Sequence, residues 1–257
     1  MKTAIVVGAG QSLGAFLAKG LATAGYNVVV ADINTESAIK VSDEINLELP
    51  GQALPVYINA TNESDVAEAF KIASKHFGSV DLLVYNAGVA KASKITEFTL
   101  EDFNFNVNVN LNGYFLCARE AARHMVTQGV GGRIIQINSK SGKVGSKFNS
   151  GYSAAKFGTV GLTQSLALDL ADDAITVNSL MLGNLLDSPM FQSLIPQYAV
   201  KLGIPEEEVI QHYVDKVPLK SGCGFDDVLN VLTFYASEGA KYCTGQSINI
   251  TGGQVMH

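Results

Sequence analysis

The sequence predicts an α/β fold in which one doubly wound parallel sheet of about seven strands is covered by helices on both faces. Three observations support this prediction. Short runs rich in β-branched residues alternate with longer stretches of helical periodicity. The strand candidates are continuous apolar runs, as expected for parallel strands buried on both faces. A glycine-rich turn joins the first strand to the first helix, and the whole pattern is typical of consecutive βαβ units.

The elements follow one another in βαβ order. The predicted strands are Thr3–Val7, Asn27–Asp32, Leu54–Ile58, Leu82–Asn86, Arg133–Asn138, Ile175–Met181 and Ser247–Ile250. The predicted helices are Leu13–Ala24, Glu36–Leu49, Glu63–Phe77, Glu101–Gln128, Tyr152–Ala171 and Asp226–Ser237. A long segment with three prolines and several apolar residues follows the sixth strand, and we expect it to form a substrate lid at about 184–217. An ordinary surface excursion is the alternative.

Composition limits the class of protein. The 257 residues are 47% hydrophobic and 16% charged, with no linker-like run, which favours a single domain over residues 1–257. The net charge is −6 and the sequence has no block of basic residues, so neither nucleic acid nor an anionic membrane is an expected partner. The three cysteines and four histidines lack metal-ligand spacing, and no run is apolar enough to span a membrane. We expect a cytoplasmic protein that binds no metal.

A glycine-rich turn follows the first strand and opens the first helix. Its sequence is Gly8-Ala9-Gly10-Gln11-Ser12-Leu13-Gly14. Such a turn points backbone N–H groups at a pyrophosphate, as in Rossmann-type folds, although the same glycines also fit a tight turn without a ligand. Asp32 ends the second strand 18 residues after Gly14, where a carboxylate binds the adenosine ribose. That carboxylate would repel a 2′-phosphate, and Gln11, Ser12 and Ile33 offer no cation for one. NAD is therefore favoured over NADP.

A second group of polar residues lies further along the chain. Tyr152 and Lys156 stand four residues apart, so they share one face of the predicted helix. Ser139 closes the preceding strand, which brings it to the same rim of the sheet. A tyrosine and a lysine at this spacing are also common as neighbours on a protein surface. Their position at the same rim of the sheet as Ser139 is what favours a functional site.

These residues, with Asn86-Ala87-Gly88 and Asn108-Val109-Asn110, resemble the short-chain dehydrogenase/reductase family over the whole chain. The resemblance implies that Tyr152 is the catalytic acid/base and that Lys156 lowers its pKa and bonds the nicotinamide ribose. It also implies that Ser139 holds the reacting oxygen and that Asn110 supports a proton-relay water. The cofactor contacts implied are Asn59 and Ala60 at the adenine, then Asn86, Ala87, Gly88, Gly183 and Leu185. Family members are typically homotetramers, so we expect one here.

The chain departs from the family pattern at two positions. Ser12 stands where the middle glycine of the turn usually lies, and Leu182 replaces the proline that commonly precedes Gly183. Neither position carries the chemistry.

Basic residues are concentrated after the fourth and fifth strands. Segments 89–95 and 139–149 contain five lysines and no acidic residue, in a protein that is acidic overall. The five are Lys91, Lys94, Lys140, Lys143 and Lys147. They favour an anionic substrate, most simply a phosphate, although solvated loop lysines are the alternative. Segments 139–147 and 179–186 are similar to family members that act on sugar-alcohol phosphates, which implies such a substrate. The Ser, Tyr and Lys set alone also fits another polyol or a 3-oxoacyl substrate, and a non-catalytic dinucleotide sensor is a more distant alternative.

Overall fold

The computed structural model describes residues 1–257 and contains one sheet of seven parallel strands. The strands are β1 (Thr3–Val7), β2 (Asn27–Asp32), β3 (Ala53–Tyr57), β4 (Leu82–Tyr85), β5 (Gly132–Ser139), β6 (Ile175–Leu182) and β7 (Ser247–Ile250). Their order across the sheet is β3-β2-β1-β4-β5-β6-β7. The predicted fold class is confirmed.

Nine α-helices connect and cover the strands. They are α1 (Ser12–Thr23), α2 (Thr35–Glu48), α3 (Glu63–Phe77), α4 (Leu100–Val107), α5 (Gly113–Gln128), α6 (Ser150–Asp169), α7 (Pro189–Leu202), α8 (Glu206–Asp215) and α9 (Phe225–Ala236). No helix is both long and apolar enough to cross a membrane.

One predicted helix differs from the structure. The sequence predicts an unbroken helix over Glu101–Gln128, whereas a π-helical turn at Asn108–Asn112 separates α4 from α5. A π turn widens the helix by one residue, which frees a carbonyl from the regular hydrogen-bond ladder. The Val109 carbonyl accepts a hydrogen bond of 2.5 Å from the Tyr85 hydroxyl on β4. This tertiary contact compensates for the widened turn, and local periodicity does not reveal it.

The sheet has a hydrophobic core on each face because alternate strand residues point to opposite sides. Ile5 and Val7 join a core covered by α3, α5 and α6, whereas Ala4 and Val6 join a core covered by α1, α2 and α9. Both cores consist mainly of fully buried aliphatic side chains, which explains why the strands are apolar throughout.

The strand order places a crevice at the carboxyl ends of β1 and β4. The chain adds β2 and β3 on one side of β1 and then crosses to add β4 on the other. Connections leave in opposite directions at this point, and ligands bind in the resulting crevice in doubly wound sheets.

Candidate active site

A cleft of about 600 Å³ runs along the carboxyl ends of the strands. Its walls include the predicted cofactor residues Gly8, Gln11, Ser12, Leu13, Gly14, Asp32, Asn59, Ala60, Asn86, Ala87, Gly88, Tyr152, Lys156, Gly183 and Leu185. Gly10 is the one predicted cofactor residue that does not line the cleft. The structure therefore brings together residues from six different strand ends.

The first helix starts without a side-chain cap. The side chain of Gln11, the N-cap residue, accepts no hydrogen bond, and the first turn contains no acidic residue. By contrast, Asn34 and Asn62 cap α2 and α3. The start of α1 thus keeps its partial positive charge and amide donors for a ligand.

The turn before α1 is tightly packed. A Cβ on Gly14 would overlap the Gly8 carbonyl oxygen, so only glycine allows this approach of strand end and helix. Ser12 adopts a φ of 51°, in the left-handed region that glycine prefers, which explains why the family pattern has glycine there. The turn has the form that a pyrophosphate requires, and the residues present fit a bound dinucleotide.

Asp32 is anchored at the end of β2 by two backbone amides. Its Oδ2 accepts from Gly10 N at 2.7 Å and its Oδ1 from Asn34 N at 2.9 Å. Gly10 therefore shapes the site through Asp32, because a Cβ on Gly10 would lie 2.8 Å from the Asp32 carboxyl carbon. The carboxylate faces the cleft in one fixed orientation and retains lone pairs for hydroxyl donors.

Ser139, Tyr152 and Lys156 lie together in the same cleft. Ser139 ends β5, and its hydroxyl oxygen accepts from Ser141 N at 3.1 Å. Tyr152 and Lys156 lie one turn apart on α6, with the Lys156 Nζ 5.5 Å from the centre of the Tyr152 ring. Lys156 Nζ also donates to the Ile137 carbonyl at 3.4 Å.

Burial dominates the protonation of this pair. It raises the pKa of Tyr152 to about 12, an effect that the Ser139 hydroxyl partly opposes. Burial also lowers the pKa of Lys156 to about 8. Desolvation disfavours the charged form of both groups, and the lowering of the Tyr152 pKa by Lys156 stays a prediction.

Asn110 lies behind the cleft rather than in its wall. Its Nδ2 donates to the carbonyls of Val89 and Asn106, each at 2.8 Å, and its Oδ1 accepts from Val89 N at 3.3 Å. Both N–H groups of the side chain are thus engaged. The side chain clamps the segment that follows β4 and carries Gly88, which contributes to the cleft wall.

A second cavity of about 610 Å³ adjoins the cleft. Ser139 and Tyr152 line both spaces, as do Asn184, Met190, Leu194 and Tyr198. Four lysines line the second cavity, Lys140, Lys147, Lys201 and Lys216, and no acidic residue does. Two of them, Lys201 and Lys216, are not among the lysines that the sequence pattern singled out.

Three of the predicted phosphate lysines point elsewhere. Lys91 Nζ lies 4.0 Å from Asp102 Oδ1, and Lys94 Nζ lies 3.9 Å from Glu97 Oε1. Lys143 Nζ donates to the Ser247 carbonyl at 2.8 Å. None of the three lines either space, so the hypothesis of a five-lysine site is corrected to two of its members, Lys140 and Lys147. The other three ammonium groups lie near the carboxylates of Asp102 and Glu97 and the Ser247 carbonyl.

The segment predicted as a lid forms the two helices α7 and α8. Ser188 caps α7 by accepting from Phe191 N at 3.2 Å. Phe191, Tyr198 and Tyr213 join the two helices through ring centroids that are pairwise 5.3 Å apart. Several residues of this segment line the cleft, so it lies over the strand ends.

The comparisons with known proteins match this geometry. The family model for short chain dehydrogenases covers residues 2–199, and the chain belongs to that family. It is an oxidoreductase on a fold that binds nicotinamide dinucleotides.

Individual members of the family are also similar to this chain. The chain is 63% identical to the sorbitol-6-phosphate 2-dehydrogenase of Escherichia coli K12, over 99% of each chain. The crystal structure of sorbitol-6-phosphate 2-dehydrogenase SrlD from Erwinia amylovora superposes with a TM-score of 0.98 at 64% identity, over 99% of this chain and 100% of that one. More distant is an actinorhodin polyketide ketoreductase with NADPH, at 28% identity and a TM-score of 0.93, over 98% and 97% of the two chains.

Proposed function

We propose that this protein oxidises D-sorbitol 6-phosphate at C2 to D-fructose 6-phosphate, with NAD⁺ as the hydride acceptor. One observation carries the proposal. The groups suited to handle a secondary alcohol, Ser139 and Tyr152, also line the acid-free cavity with four lysines. A substrate that carries both a secondary hydroxyl and a phosphate fits this arrangement, and the full-length similarity to sorbitol-6-phosphate 2-dehydrogenases supports the same choice.

The cofactor is bound by the turn before α1 and by Asp32. The backbone amides at the uncapped start of α1 would hold the pyrophosphate, and the Asp32 carboxylate would accept hydrogen bonds from the adenosine ribose hydroxyls. Asp32 disfavours NADP because a 2′-phosphate would bring a second anion against a fixed carboxylate. Among its neighbours, Gln11, Ser12 and Ile33 also line the cleft and none of them is a cation.

Tyr152 is the general base for oxidation. Ser139 positions the C2 hydroxyl, whose proton passes to the Tyr152 phenolate oxygen as the C2–H hydride leaves and the carbonyl forms. Bound NAD⁺ supplies the hydride acceptor and a positive charge that favours the phenolate. The ammonium of Lys156, whose Nζ lies 5.5 Å from the centre of the Tyr152 ring, acts in the same direction because a nearby positive charge stabilises the phenolate.

Three further features belong to the proposal. Segment 184–217 acts as a substrate lid, because its helices line both the cleft and the lysine cavity. The protein acts in the cytoplasm, as suggested by three free cysteines without a disulfide. It assembles as a homotetramer through exposed apolar side chains of α5 and α6, among them Phe115 and Phe157.

The test is NADH formation at 340 nm with purified protein. D-sorbitol 6-phosphate with NAD⁺ is run beside D-sorbitol, D-mannitol 1-phosphate and NADP⁺. We expect strong turnover only when D-sorbitol 6-phosphate is combined with NAD⁺. Tyr152→Phe removes the proton acceptor and should lower kcat by at least about 10²-fold to 10⁴-fold. Tyr242→Phe is the matched control, because that side chain is 99% exposed and remote from both spaces.

Either half of the proposal can fail separately. Turnover of other alcohols without any sugar phosphate would leave a dehydrogenase and reject the substrate. Equal kinetics with NADP⁺ would reject the role assigned to Asp32.

A further inference from the structure

The four lysines of the second cavity come from two separate parts of the chain. Lys140 and Lys147 lie in the segment that follows β5, Lys201 lies in the last turn of α7, and Lys216 directly follows α8. The lid segment therefore contributes two of the four positive charges. The sequence does not show that these lysines lie together, because Lys147 and Lys201 are 54 positions apart.

The four cations have no acidic neighbour in the cavity wall. Burial, followed by the charges of Lys216 and Lys201, lowers the pKa of Lys140 to about 8. Burial, followed by Lys216 and Lys147, likewise lowers the pKa of Lys201. Lysines that line one cavity disfavour each other's charged forms, and such perturbed groups are typical of functional sites.

Neighbouring side chains hold the ammonium groups in place. Lys140 Nζ donates to Gln254 Oε1 at 2.6 Å, and Lys201 Nζ donates to Ser146 Oγ at 3.1 Å. Lys140 and Lys216 each place Nζ 5.9 Å from the centre of the Tyr213 ring. These contacts hold Lys140, Lys201 and Lys216 at the wall, and each of these ammonium groups has further N–H donors for a ligand.

We propose that Lys201 and Lys216 complete, with Lys140 and Lys147, a subsite for the phosphomonoester dianion of the substrate. The lid segment is then the specificity-determining element, because Lys201 on α7 and Lys216 after α8 supply half of the ligands to the phosphate. The identity of the substrate rests on the proposed function, whereas the anion subsite rests on the lysine geometry alone.

The subsite makes a quantitative difference to binding. A hydrogen bond to a charged group contributes about 1.5–3 kcal/mol, which corresponds to about tenfold to a hundredfold in affinity. Because the phosphate is remote from the reacting carbon, the effect falls mainly on KM rather than on kcat. Loss of both lid lysines should also reduce the preference for a phosphorylated over an unphosphorylated polyol.

The experiment compares Lys201→Met/Lys216→Met with Lys75→Met/Lys241→Met. The second pair removes the same charge from exposed positions outside both spaces. Isothermal titration with inorganic phosphate measures the affinity of the subsite for an anion. Steady-state kinetics with D-sorbitol 6-phosphate and D-sorbitol measure KM and kcat for a phosphorylated and an unphosphorylated substrate. Lys201→Arg/Lys216→Arg keeps the charge and should retain phosphate binding.

We expect the lid variant to bind phosphate at least about tenfold more weakly and to raise KM for D-sorbitol 6-phosphate by about tenfold to a hundredfold. The control pair should match the unmodified protein in both measurements. Unchanged phosphate affinity and unchanged KM in the lid variant would overturn the subsite while the proposed function stands. Weakened phosphate binding in a protein that never oxidises D-sorbitol 6-phosphate would support the subsite and reject the proposed function.

Discussion

Lys156 is a charged side chain in the interior of the protein, with 4% of its surface exposed. Its ammonium has the Ile137 carbonyl as its hydrogen-bond acceptor and no carboxylate partner. The unfavourable burial lowers its pKa from 10.5 to about 8. A position that destabilises the fold in this way is typical of a catalytic site, where function and stability compete.

Replacing Lys156 with Met should therefore stabilise the protein and abolish turnover. Lowering the pKa of Lys156 from 10.5 to about 8 corresponds to a loss of about 3 kcal/mol in the free energy of unfolding at pH 7. The folded-state pKa lies below the unfolded value, so the penalty is fully present below pH 8 and is relieved as the pH rises from about 8 to 10.5. Urea unfolding at pH 7 and pH 9.5 measures the change.

The gain in unfolding free energy should be larger at pH 7 than at pH 9.5. Lys75→Met is the control, because Lys75 is exposed and its removal should change neither value by more than about 0.5 kcal/mol. A variant less stable than the unmodified protein at pH 7 would contradict this account of Lys156.

At the scale of elements, the π turn between α4 and α5 connects the sheet to the site. Tyr85 on β4 is fully buried, and its hydroxyl reaches the Val109 carbonyl of the turn. One residue later, Asn110 clamps the segment after β4. Gly113 leaves room for the Tyr85 hydroxyl, which a Cβ at that position would overlap.

Gly113→Ala should destabilise the protein by about 1–3 kcal/mol, because overpacking beside Tyr85 forces the helix and strand apart. Tyr85→Phe removes both the obstructing oxygen and the hydrogen bond to the buried Val109 carbonyl, at a cost of about 1–3 kcal/mol. The double variant should lose less than the sum of the two single changes. A double-mutant cycle by urea unfolding measures this coupling, which should exceed about 0.5 kcal/mol. Strict additivity would show that Gly113 and Tyr85 do not interact in this way.

At the scale of the whole molecule, the exposed apolar side chains predict association. Phe157 on α6 and Phe115 on α5 are 46% and 41% exposed. The two helices adjoin, since a Cβ on Gly158 of α6 would lie 3.0 Å from the Leu111 side chain, one turn before Phe115. Aromatic residues left on a helix face in this way are typical of subunit interfaces.

We expect a sedimentation mass of about four times the 27.2 kDa chain. Phe157→Glu places a charge in the expected interface and should lower that mass. Lys75→Glu is the control, because Lys75 is an exposed polar residue of α3 and the change introduces a glutamate outside α5 and α6. A single-chain mass for the unmodified protein would contradict the tetramer.

The sequence by itself determined the fold class, the cofactor turn and the grouping of Ser139, Tyr152 and Lys156. These features are written in local patterns. Strand and helix periods follow from consecutive residues, and parallel strands bring their carboxyl ends to one rim whatever the details of packing. The position of Asp32 could be predicted for the same reason, because it ends a strand next to the first.

Tertiary structure alone decided which lysines meet, where the long helix widens and what Asn110 contacts. Lys91, Lys94 and Lys143 lie in the expected segments but line neither space. Lys201 on α7 and Lys216 after α8 line the cavity although they are distant in sequence from Lys140 and Lys147. The π turn likewise depends on a tyrosine from β4. Such contacts depend on packing and on the interaction of charges, and both are set by distances in three dimensions. A periodic pattern along the chain does not encode those distances.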